Sequence, residues 1–405
     1  MDGKETAKDF LSRAEKSEKL ENGAQMISFA APALNTAAFS VVLPFVPEGR
    51  AGSYHCVEHL FFERAGQKRA PEINAEMTSR GSEIMGYTTR NYMCFNFSCR
   101  KEVFADQLAL LYSMLTQKEY GEEEEQSVLD VISNEIFEYE FYDNRTADIL
   151  RESWYDGRFT KSVLGTAEDL DSFTEEEIAE TRESLFTDGM AVFAAGALSE
   201  RDLQTVRGTF GKIPLRHYGY VPEYGKKQAR KKIEKRGRGR DLQVLVTYHL
   251  EGANDGDKFA AYWLKSALFD GMDAAFLRFF DRNGFHFYSV DGSYSVLGDE
   301  IVFSFSTYIK RKEKKRFLAL LDEFEREAEK TPFLKLVRPF LYDNGVFLYD
   351  NPERLCSHYT ESWADLSRPV TLKEERGIAS RFTDGQLARL WRRFAGSERK
   401  IYFLA

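Results

Sequence analysis

The sequence predicts an α+β fold made of two domains of similar topology. Three observations support this prediction. The chain has 405 residues, which is long for a single core. Strand-like and helix-like segments alternate along both halves. Residues 80–111 and 283–321 also share one order: a glycine, a β-rich segment, the letters FNFS or FSFS, and an amphipathic helix that ends in LALL.

Local patterns define the elements of the first half. The segment TAAFSVVLPFVPEG predicts a strand that ends at a Pro/Gly turn. A helix follows over 53–66 and stops at Gly66, and a second helix begins at Pro71 and ends before Gly81. The remaining predicted elements are a strand or hairpin over 82–99, helices over 101–115, 122–141 and 175–185, and a strand over 189–198.

The order of elements starts again after a basic, glycine-containing stretch at 215–240, which we interpret as a linker. The predicted domains are therefore 1–214 and 241–405. We expect the linker to let the two halves open and close. The second half contains a predicted strand over 241–250, helical sequence over 259–284, a strand pair over 285–308 and a helix over 310–330.

Composition restricts the class of protein. With 43% hydrophobic and 30% charged residues, the chain is typical of a globular protein, and its net charge of -9 argues against nucleic-acid binding. The four cysteines lack the spacing of a disulfide framework and are expected to be reduced. The sequence shows no secretory signal and no apolar run of the roughly 20 residues that a membrane span needs. We therefore expect a cytoplasmic protein with no membrane partner.

A cluster of polar residues on the predicted helix at 53–66 is the candidate functional site. His55 and His59 are four residues apart, so their imidazoles share one helix face, and Glu58 projects to the same side. A catalytic zinc site needs such histidine nitrogens, a third protein ligand and one position for water. The metal lowers the pKa of that water to about 7, and a neighbouring carboxylate takes up its proton. Because the chain has only six histidines, this spacing favours a metal site over two unrelated histidines.

The helix at 122–141 is the best source of the third ligand. Glu135 falls on one face with Val128, Val131 and Ile132, so its carboxylate lies on an apolar stripe. A carboxylate buried there needs a cation or strong donors, which a metal or an arginine would supply. Glu138, one turn later, is a second candidate. We interpret the glutamates at 122–125 as a solvated first turn.

These residues carry a family resemblance. GSYHCVEHLFF resembles the inverted zinc motif HxxEH of the insulinase-like, or pitrilysin, metallopeptidases. INAEMTSRGSEIMGYTTRNYMCF resembles the helix and edge strand that follow this motif, and VLDVISNEIF resembles the helix with the distal glutamate ligand. Residues 163–203 look like the GT-x-E segment, helix and strand of the family, and 271–290 are more loosely similar to its second domain.

The resemblance implies a fold and a reaction. It implies two homologous domains, each a mostly antiparallel sheet with helices on one side, that together form half of a clamshell. It also implies a zinc-dependent endopeptidase that adds an extended peptide to the edge strand. Such half-size chains resemble mitochondrial processing peptidase subunits and small bacterial members, so a homodimer or a heterodimer with a related motif-less chain is expected.

The resemblance also assigns roles to individual residues. The implied zinc ligands are His55, His59 and Glu135, and the implied base is Glu58. Tyr87 and Thr88 match the substrate-binding edge strand. In the second domain, the family's catalytic Arg and Tyr correspond to Arg282 and Tyr288, with Arg278 as an alternative substrate-binding residue because the spacing differs by about one position. Residue by residue, the catalytic, metal-binding and substrate-binding predictions are Glu58, Tyr288, Arg282, His55, His59, Glu135, Tyr87, Thr88 and Arg278.

Two departures from the family pattern bear on function. Many members carry a second glutamate one heptad before the ligand, where this chain has Val128. The usual Asn-Ala of the edge strand is Met85-Gly86. A non-catalytic scaffold or partner subunit therefore stays open as an alternative. So does a peptide-binding module with a structural zinc, although no fourth protein ligand is evident, since Cys56 points off the metal face. The sequence does not identify the substrate; a precursor or leader peptide is one hypothesis.

Overall fold

Two β-sheets, one from each half of the chain, organise the structure. A computed structural model describes residues 14–46, 50–141, 153–155, 162–217, 241–339 and 346–404. The strands are β1 (Glu15–Lys19), β2 (Gln25–Ala30), β3 (Thr36–Pro44), β4 (Arg64–Ala65), β5 (Lys68–Arg69), β6 (Ile84–Thr88), β7 (Tyr92–Arg100), β8 (Ala191–Gly196), β9 (Asp241–Leu250), β10 (Val290–Leu297), β11 (Glu300–Lys310) and β12 (Glu398–Leu404). The helices are α1 (Ser53–Glu63), α2 (Ala70–Arg80), α3 (Phe104–Leu115), α4 (Glu122–Phe141), α5 (Ala167–Leu170), α6 (Glu175–Ser184), α7 (Glu200–Thr209), α8 (Asp255–Phe269), α9 (Ala275–Arg282), α10 (Lys314–Glu327), α11 (Phe333–Val337), α12 (Val346–Tyr349), α13 (Pro352–Leu366), α14 (Leu372–Ala379) and α15 (Asp384–Ala395).

The two sheets repeat one topology. The first has the order β1-β2-β8-β3-β7-β6, in which only β2 and β8 pair in parallel. The second has the order β10-β11-β9-β12 and is antiparallel throughout. The run β6-β7-β3-β8 corresponds strand by strand to the second sheet, and a helix follows the central strand in both. The predicted α+β fold with two similar domains is therefore confirmed.

Most predicted elements of the first half form close to their expected bounds. Helix α1 ends at Glu63 rather than at Gly66, because Arg64 and Ala65 leave the helix to pair with Lys68 and Arg69 in a short hairpin. In the second half, the helical sequence over 259–284 forms two helices, α8 and α9, instead of one. The break contains Gly271, whose φ of 77° is incompatible with a continuous right-handed helix.

Close backbone packing fixes the start of α1. Gly52 precedes the helix with a φ of 86°, and Gly165 approaches it from the segment before α5. A Cβ at Gly52 would lie 2.7 Å from the carbonyl oxygen of Leu164, and a Cβ at Gly165 would lie 2.8 Å from that of Ala51. Both positions therefore require glycine, and their contact holds the first turn of α1 against the GT segment.

The opposite face of the first sheet is covered by a helix from the second half. Leu355, Tyr359 and Trp363 of α13 are buried against β2, β3, β7 and β8. The Trp363 ring lies 5.5 Å from that of Tyr92, and Ser40 and Thr360 are in hydrogen-bond contact at 3.2 Å. The expectation that helices lie on one side of each sheet holds within the first domain, but α13 adds a second layer to it.

A short segment of the first half packs in turn on the second sheet. The indole of Trp154 donates a hydrogen bond of 2.9 Å to Thr247 of β9, and the Ser153 hydroxyl donates one of 2.7 Å to the Tyr402 hydroxyl. Most of the predicted linker, residues 218–240, lies outside the described part of the chain. These reciprocal contacts oppose the opening of the two halves that we expect from the linker, because opening would expose their buried side chains.

Candidate metal centre

Helix α1 fixes the orientation of the HCVEH residues. Cys56, Val57, Leu60 and Phe61 are buried in the core of the first domain, so the helix cannot rotate without losing that packing. The imidazoles of His55 and His59 therefore lie together on another face, with ring centroids 4.6 Å apart and planes at 81°. The sequence prediction that both histidines share one face agrees with this geometry.

Glu135 reaches this histidine pair from α4. Its Oε2 is 2.9 Å from His55 Nε2, and its Oε1 is 3.5 Å from His59 Nε2. One donor atom from each of these three residues lies within 4.8 Å of the others. Glu138, the other candidate from the sequence, is exposed and does not belong to this group. Glu135 is therefore the glutamate that α4 brings to the histidines.

The predicted apolar stripe of α4 needs one correction. Val128, Ile132 and Ile136 are buried at a four-residue spacing, whereas the Val131 side chain is 43% exposed. Glu135 consequently lies at the border of the buried face, with 40% of its side chain exposed, and is not enclosed in the core. Val128 is buried in the hydrophobic core of the first domain, which explains how an apolar residue is accommodated at that position.

The donor set suits zinc. Two imidazole nitrogens and one carboxylate oxygen are ligands that zinc prefers, and three protein ligands leave a fourth position for water. Burial lowers the pKa of His55, but the hydrogen bond to Glu135 and the Glu58 carboxylate outweigh it and raise the pKa to about 9. Burial and the neighbouring His55 lower the pKa of His59, and the hydrogen bond from His55 lowers the pKa of Glu135. The two carboxylates thus attract positive charge to this cluster, as a bound cation requires.

Glu58 lies beside the three donor residues. Its side chain is buried, with Oε2 3.4 Å from His55 Nδ1. The Thr88 hydroxyl donates a hydrogen bond of 2.6 Å to the same oxygen. No described residue donates a hydrogen bond to the other oxygen of Glu58, Oε1. The carboxylate is therefore next to the metal-binding atoms and retains one free oxygen, which is the arrangement that a general base needs.

The edge strand β6 divides its side chains between two faces. Thr88 faces α1 and contacts Glu58, although the sequence predicts it as a substrate contact. Tyr87 faces the opposite side, where its ring lies 6.1 Å from that of Tyr92 and burial raises its pKa. Tyr87 is still 39% exposed, so its role in binding substrate stays a prediction.

The second-domain candidates do not join the cluster. Arg282 forms an ion pair of 2.6 Å with Glu327, and Arg278 lies 3.5 Å from Asp273. The Tyr288 side chain is fully exposed and makes no hydrogen bond or ring contact with the histidines or with Glu58. The roles of these three residues remain predictions.

Two ion-pair or hydrogen-bond contributions near the site are not predicted from the sequence. Glu124, which we predict in a solvated first turn, is buried and lies 3.3 Å from Arg64 and 3.6 Å from Arg69. These ion pairs tie the start of α4 to the segment that follows α1. The bond between Thr88 and Glu58 is the second contribution. Neither pair has a local sequence signal, since each joins residues that the fold brings together across 30 or more positions.

Comparison with known proteins defines the family to which this chain belongs. The family model described as "Insulinase (Peptidase family M16)" matches residues 47–167, and the one described as "Peptidase M16 inactive domain" matches 172–332. The chain belongs to the M16, or insulinase-like, family and is of the half-size, two-domain type.

Named relatives include peptidases and subunits of peptidases. An uncharacterized zinc protease of Bacillus subtilis, YmxG, is 27% identical over 163 residues, which are 40% of this chain and 40% of the relative. The beta subunit of the mitochondrial-processing peptidase of Saccharomyces cerevisiae is 27% identical over 207 residues, 48% of this chain and 44% of that one. The matched segments therefore span less than half the length of these relatives.

Solved structures share the fold over nearly the whole chain. A protease from Helicobacter pylori aligns with a TM-score of 0.80 and 16% identity over 96% of this chain and 99% of its own. The periplasmic protease PqqL from Escherichia coli aligns with a TM-score of 0.77 and 13% identity over 100% of this chain but 46% of its own. At these identities the likeness shows the fold alone. Among the described helices, none combines the length and apolar character that a membrane crossing needs.

Proposed function

We propose that this chain is a zinc-dependent endopeptidase that hydrolyses peptides. The observation that carries the proposal is the convergence of His55, His59 and Glu135 within 4.8 Å, with the Glu58 carboxylate beside them. Membership of the M16 family and the zinc proteases among its relatives support the same reaction class. The three residues would hold the zinc, which when bound supplies a Lewis acid and lowers the pKa of water.

The side chains and backbone of the protein would perform proton transfer, peptide binding and donation to the carbonyl oxygen. Glu58 is positioned to take up a proton from the attacking water at Oε1 and to deliver it to the leaving amine. Strand β6 is the outermost strand of the first sheet, so a peptide can add to its free edge in extended form. Tyr288 or an arginine, Arg278 or Arg282, would donate to the carbonyl oxygen from the second domain.

The proposed assembly follows from the half-size architecture. The whole chain matches 46% of PqqL, and several relatives are named as beta subunits. We therefore propose a dimer, either with a second copy or with a related motif-less chain, that encloses a peptide. Four free, buried cysteines in the described residues are compatible with the cytoplasmic location that the composition predicts. A precursor or leader peptide is the proposed substrate class.

The direct test combines zinc content with peptide hydrolysis. Glu58→Gln should retain zinc and the wild-type unfolding temperature but lose about 10²–10⁴-fold in kcat, because general-base catalysis is worth that much. Elemental analysis and cleavage of an internally quenched peptide library measure both. A Glu58→Gln protein as active as the wild type would exclude Glu58 as the base.

A non-catalytic subunit is the second candidate. The observation that favours it is Val128, which occupies the position of a second glutamate in many members of the family. A wild-type protein that binds zinc but cleaves no peptide, alone or with a related chain, would favour this role. A structural zinc would need a fourth protein ligand, and the described residues place none at the cluster.

A further inference from the structure

Strand β6 packs beside the Glu58 carboxylate. Residues 84, 86 and 88 alternate along the strand, so they face the same side, toward α1. The Thr88 hydroxyl donates its hydrogen bond of 2.6 Å to Oε2. A Cβ at Gly86 would lie 3.0 Å from Oε1. Strand β6 therefore borders both oxygens of the carboxylate, with a hydrogen-bond donor at Thr88 and no side chain at Gly86.

Gly86 borders the Glu58 carboxylate without a side chain of its own. It is not among the glycines with positive φ, so other residues could adopt its backbone angles. A methyl group there would, however, lie 2.9 Å from both Phe62 Cε2 and Phe95 Cε1, in addition to its contact with Glu58. An alanine here, the residue usual in the family, would therefore require one of these neighbouring side chains to shift.

The second domain supplies an internal comparison. In the β6–β7 pair Gly86 is opposite Phe95, and in the β10–β11 pair Tyr294 is opposite Phe303, the matching phenylalanine of the FNFS and FSFS segments. Tyr294 is therefore the counterpart of Gly86. Its hydroxyl donates a hydrogen bond of 2.7 Å to Asp365. The position is thus occupied by a large side chain in the domain whose first helix, α8, carries no glutamate.

A short hydrogen bond to a carboxylate is strong enough to select one rotamer. Charge-assisted bonds of this length are about twice as strong as neutral ones, and a glutamate otherwise samples several rotamers. We propose that Thr88 is a positioning residue that orients Glu58, leaving Oε1 free to accept a proton. The inference rests on the proposed role of Glu58 as base, and it assigns Thr88 a function other than substrate contact.

Steady-state kinetics of Thr88→Val and Thr88→Ser test this assignment. Valine preserves the shape but removes the donor, so kcat should fall about 10–100-fold, the value of one hydrogen bond to a charged group. KM should change by less than about twofold, because no substrate contact is lost. Serine keeps the hydroxyl and should restore kcat to within about threefold of wild type. A raised KM with intact kcat in Thr88→Val, or a serine variant as impaired as valine, would overturn the proposal.

Crystal structures of the same variants give a readout independent of activity. In Thr88→Val the Glu58 carboxylate should leave its wild-type position or occupy more than one conformer, whereas in Thr88→Ser it should stay in place. Unchanged zinc content and unfolding temperature exclude a general loss of structure. If the wild-type chain cleaves no peptide, the proposed function fails, and the crystal structures alone decide whether Thr88 holds Glu58. An unmoved carboxylate in Thr88→Val contradicts the inference.

Discussion

The junction between the first helix and the edge strand differs chemically between the two domains. In the first domain, His55, His59 and Glu135 converge, and one donor atom of each lies within 4.8 Å of the others. In the second, Tyr294 bonds to Asp365 at 2.7 Å, and nearby His358 approaches Glu375 at 2.6 Å. In the second domain these polar groups form separate hydrogen-bonded pairs, whereas in the first domain three potential ligands surround one point. The repeated scaffold therefore sets where polar groups lie, and the residue types decide whether they form a metal site.

Removal of a donor should have the largest effect on this contrast. Wild-type protein should contain about one zinc per chain, and His55→Ala, His59→Ala and Glu135→Ala should each lose it, because two ligands hold zinc far less tightly than three. His358→Ala in the second domain is the matched control and should keep the full zinc content. Elemental analysis after dialysis measures this; unchanged zinc in all three donor variants would refute the site.

The next largest effect concerns the packing that joins the two regions. Trp363 of α13 is 1% exposed, and Trp363→Ala should destabilise the protein by about 3–5 kcal/mol through the cavity it creates under the first sheet. Because this residue connects the second half to the first sheet, we also expect a broader calorimetric transition or two separate ones. A single transition at the wild-type temperature would show that the halves do not depend on this contact.

A smaller effect, which depends on pH, concerns the Tyr294–Asp365 pair of the second domain. Burial raises the pKa of Asp365 from 3.8 to about 6; the hydrogen bond from Tyr294 opposes this rise, Glu361 adds to it, and Lys258 and His358 reduce it. The folded pKa lies above the unfolded one, so the folded state binds the extra proton between these values. The carboxylate therefore costs stability progressively as pH rises through this window, and the cost is constant above it.

Asp365→Asn removes this titration and keeps an acceptor for Tyr294. Relative to wild type, the variant should gain roughly 1–3 kcal/mol in unfolding free energy between about pH 4 and pH 7.5. Urea unfolding of both proteins across this range measures the difference. A difference that does not vary with pH would mean that Asp365 titrates normally in the folded protein.

The smallest expected effect tests whether the second domain contributes to the chemistry at all. Tyr288→Phe should lower kcat about tenfold with little change in KM, since a phenol that donates to developing negative charge is replaced by a ring of the same shape. Arg278→Ala and Arg282→Ala, measured in parallel, would separate the two arginine candidates. Equal kcat for wild type and Tyr288→Phe would restrict the catalytic groups to the first domain.

How much the sequence predicts depends on the separation of the residues involved. His55, Glu58 and His59 lie within one helical turn or so, and the period of the helix alone brings them together. Glu135 is 80 positions from His55, and it required both an apolar pattern and a family resemblance. The pattern placed Val131 on the buried side, where it does not lie, because helical spacing does not define how wide the buried face is.

Contacts between distant segments of the chain produce no pattern in the sequence from which they could be predicted. An amphipathic helix such as α13 has an apolar face, but that face does not indicate whether its own sheet or another one will cover it. The pairing of Thr88 with Glu58 is equally invisible, because a threonine at the end of a strand has many possible acceptors. The sequence therefore predicts the elements and the repeat well, and it predicts the contacts between domains poorly.

The placement of α13 has a consequence for biosynthesis. Domains of a nascent chain generally fold as units, the N-terminal one first. Here the second face of the first sheet stays uncovered until residues 352–366 have left the ribosome, long after its last strand, Ala191–Gly196, has been made. The first half is thus synthesised with Phe29, Val42 and Phe193 exposed on an apolar surface, which is prone to aggregate. A chaperone that shields this surface during translation would raise the yield of folded protein, and a chain truncated before α13 would collect as inclusion bodies.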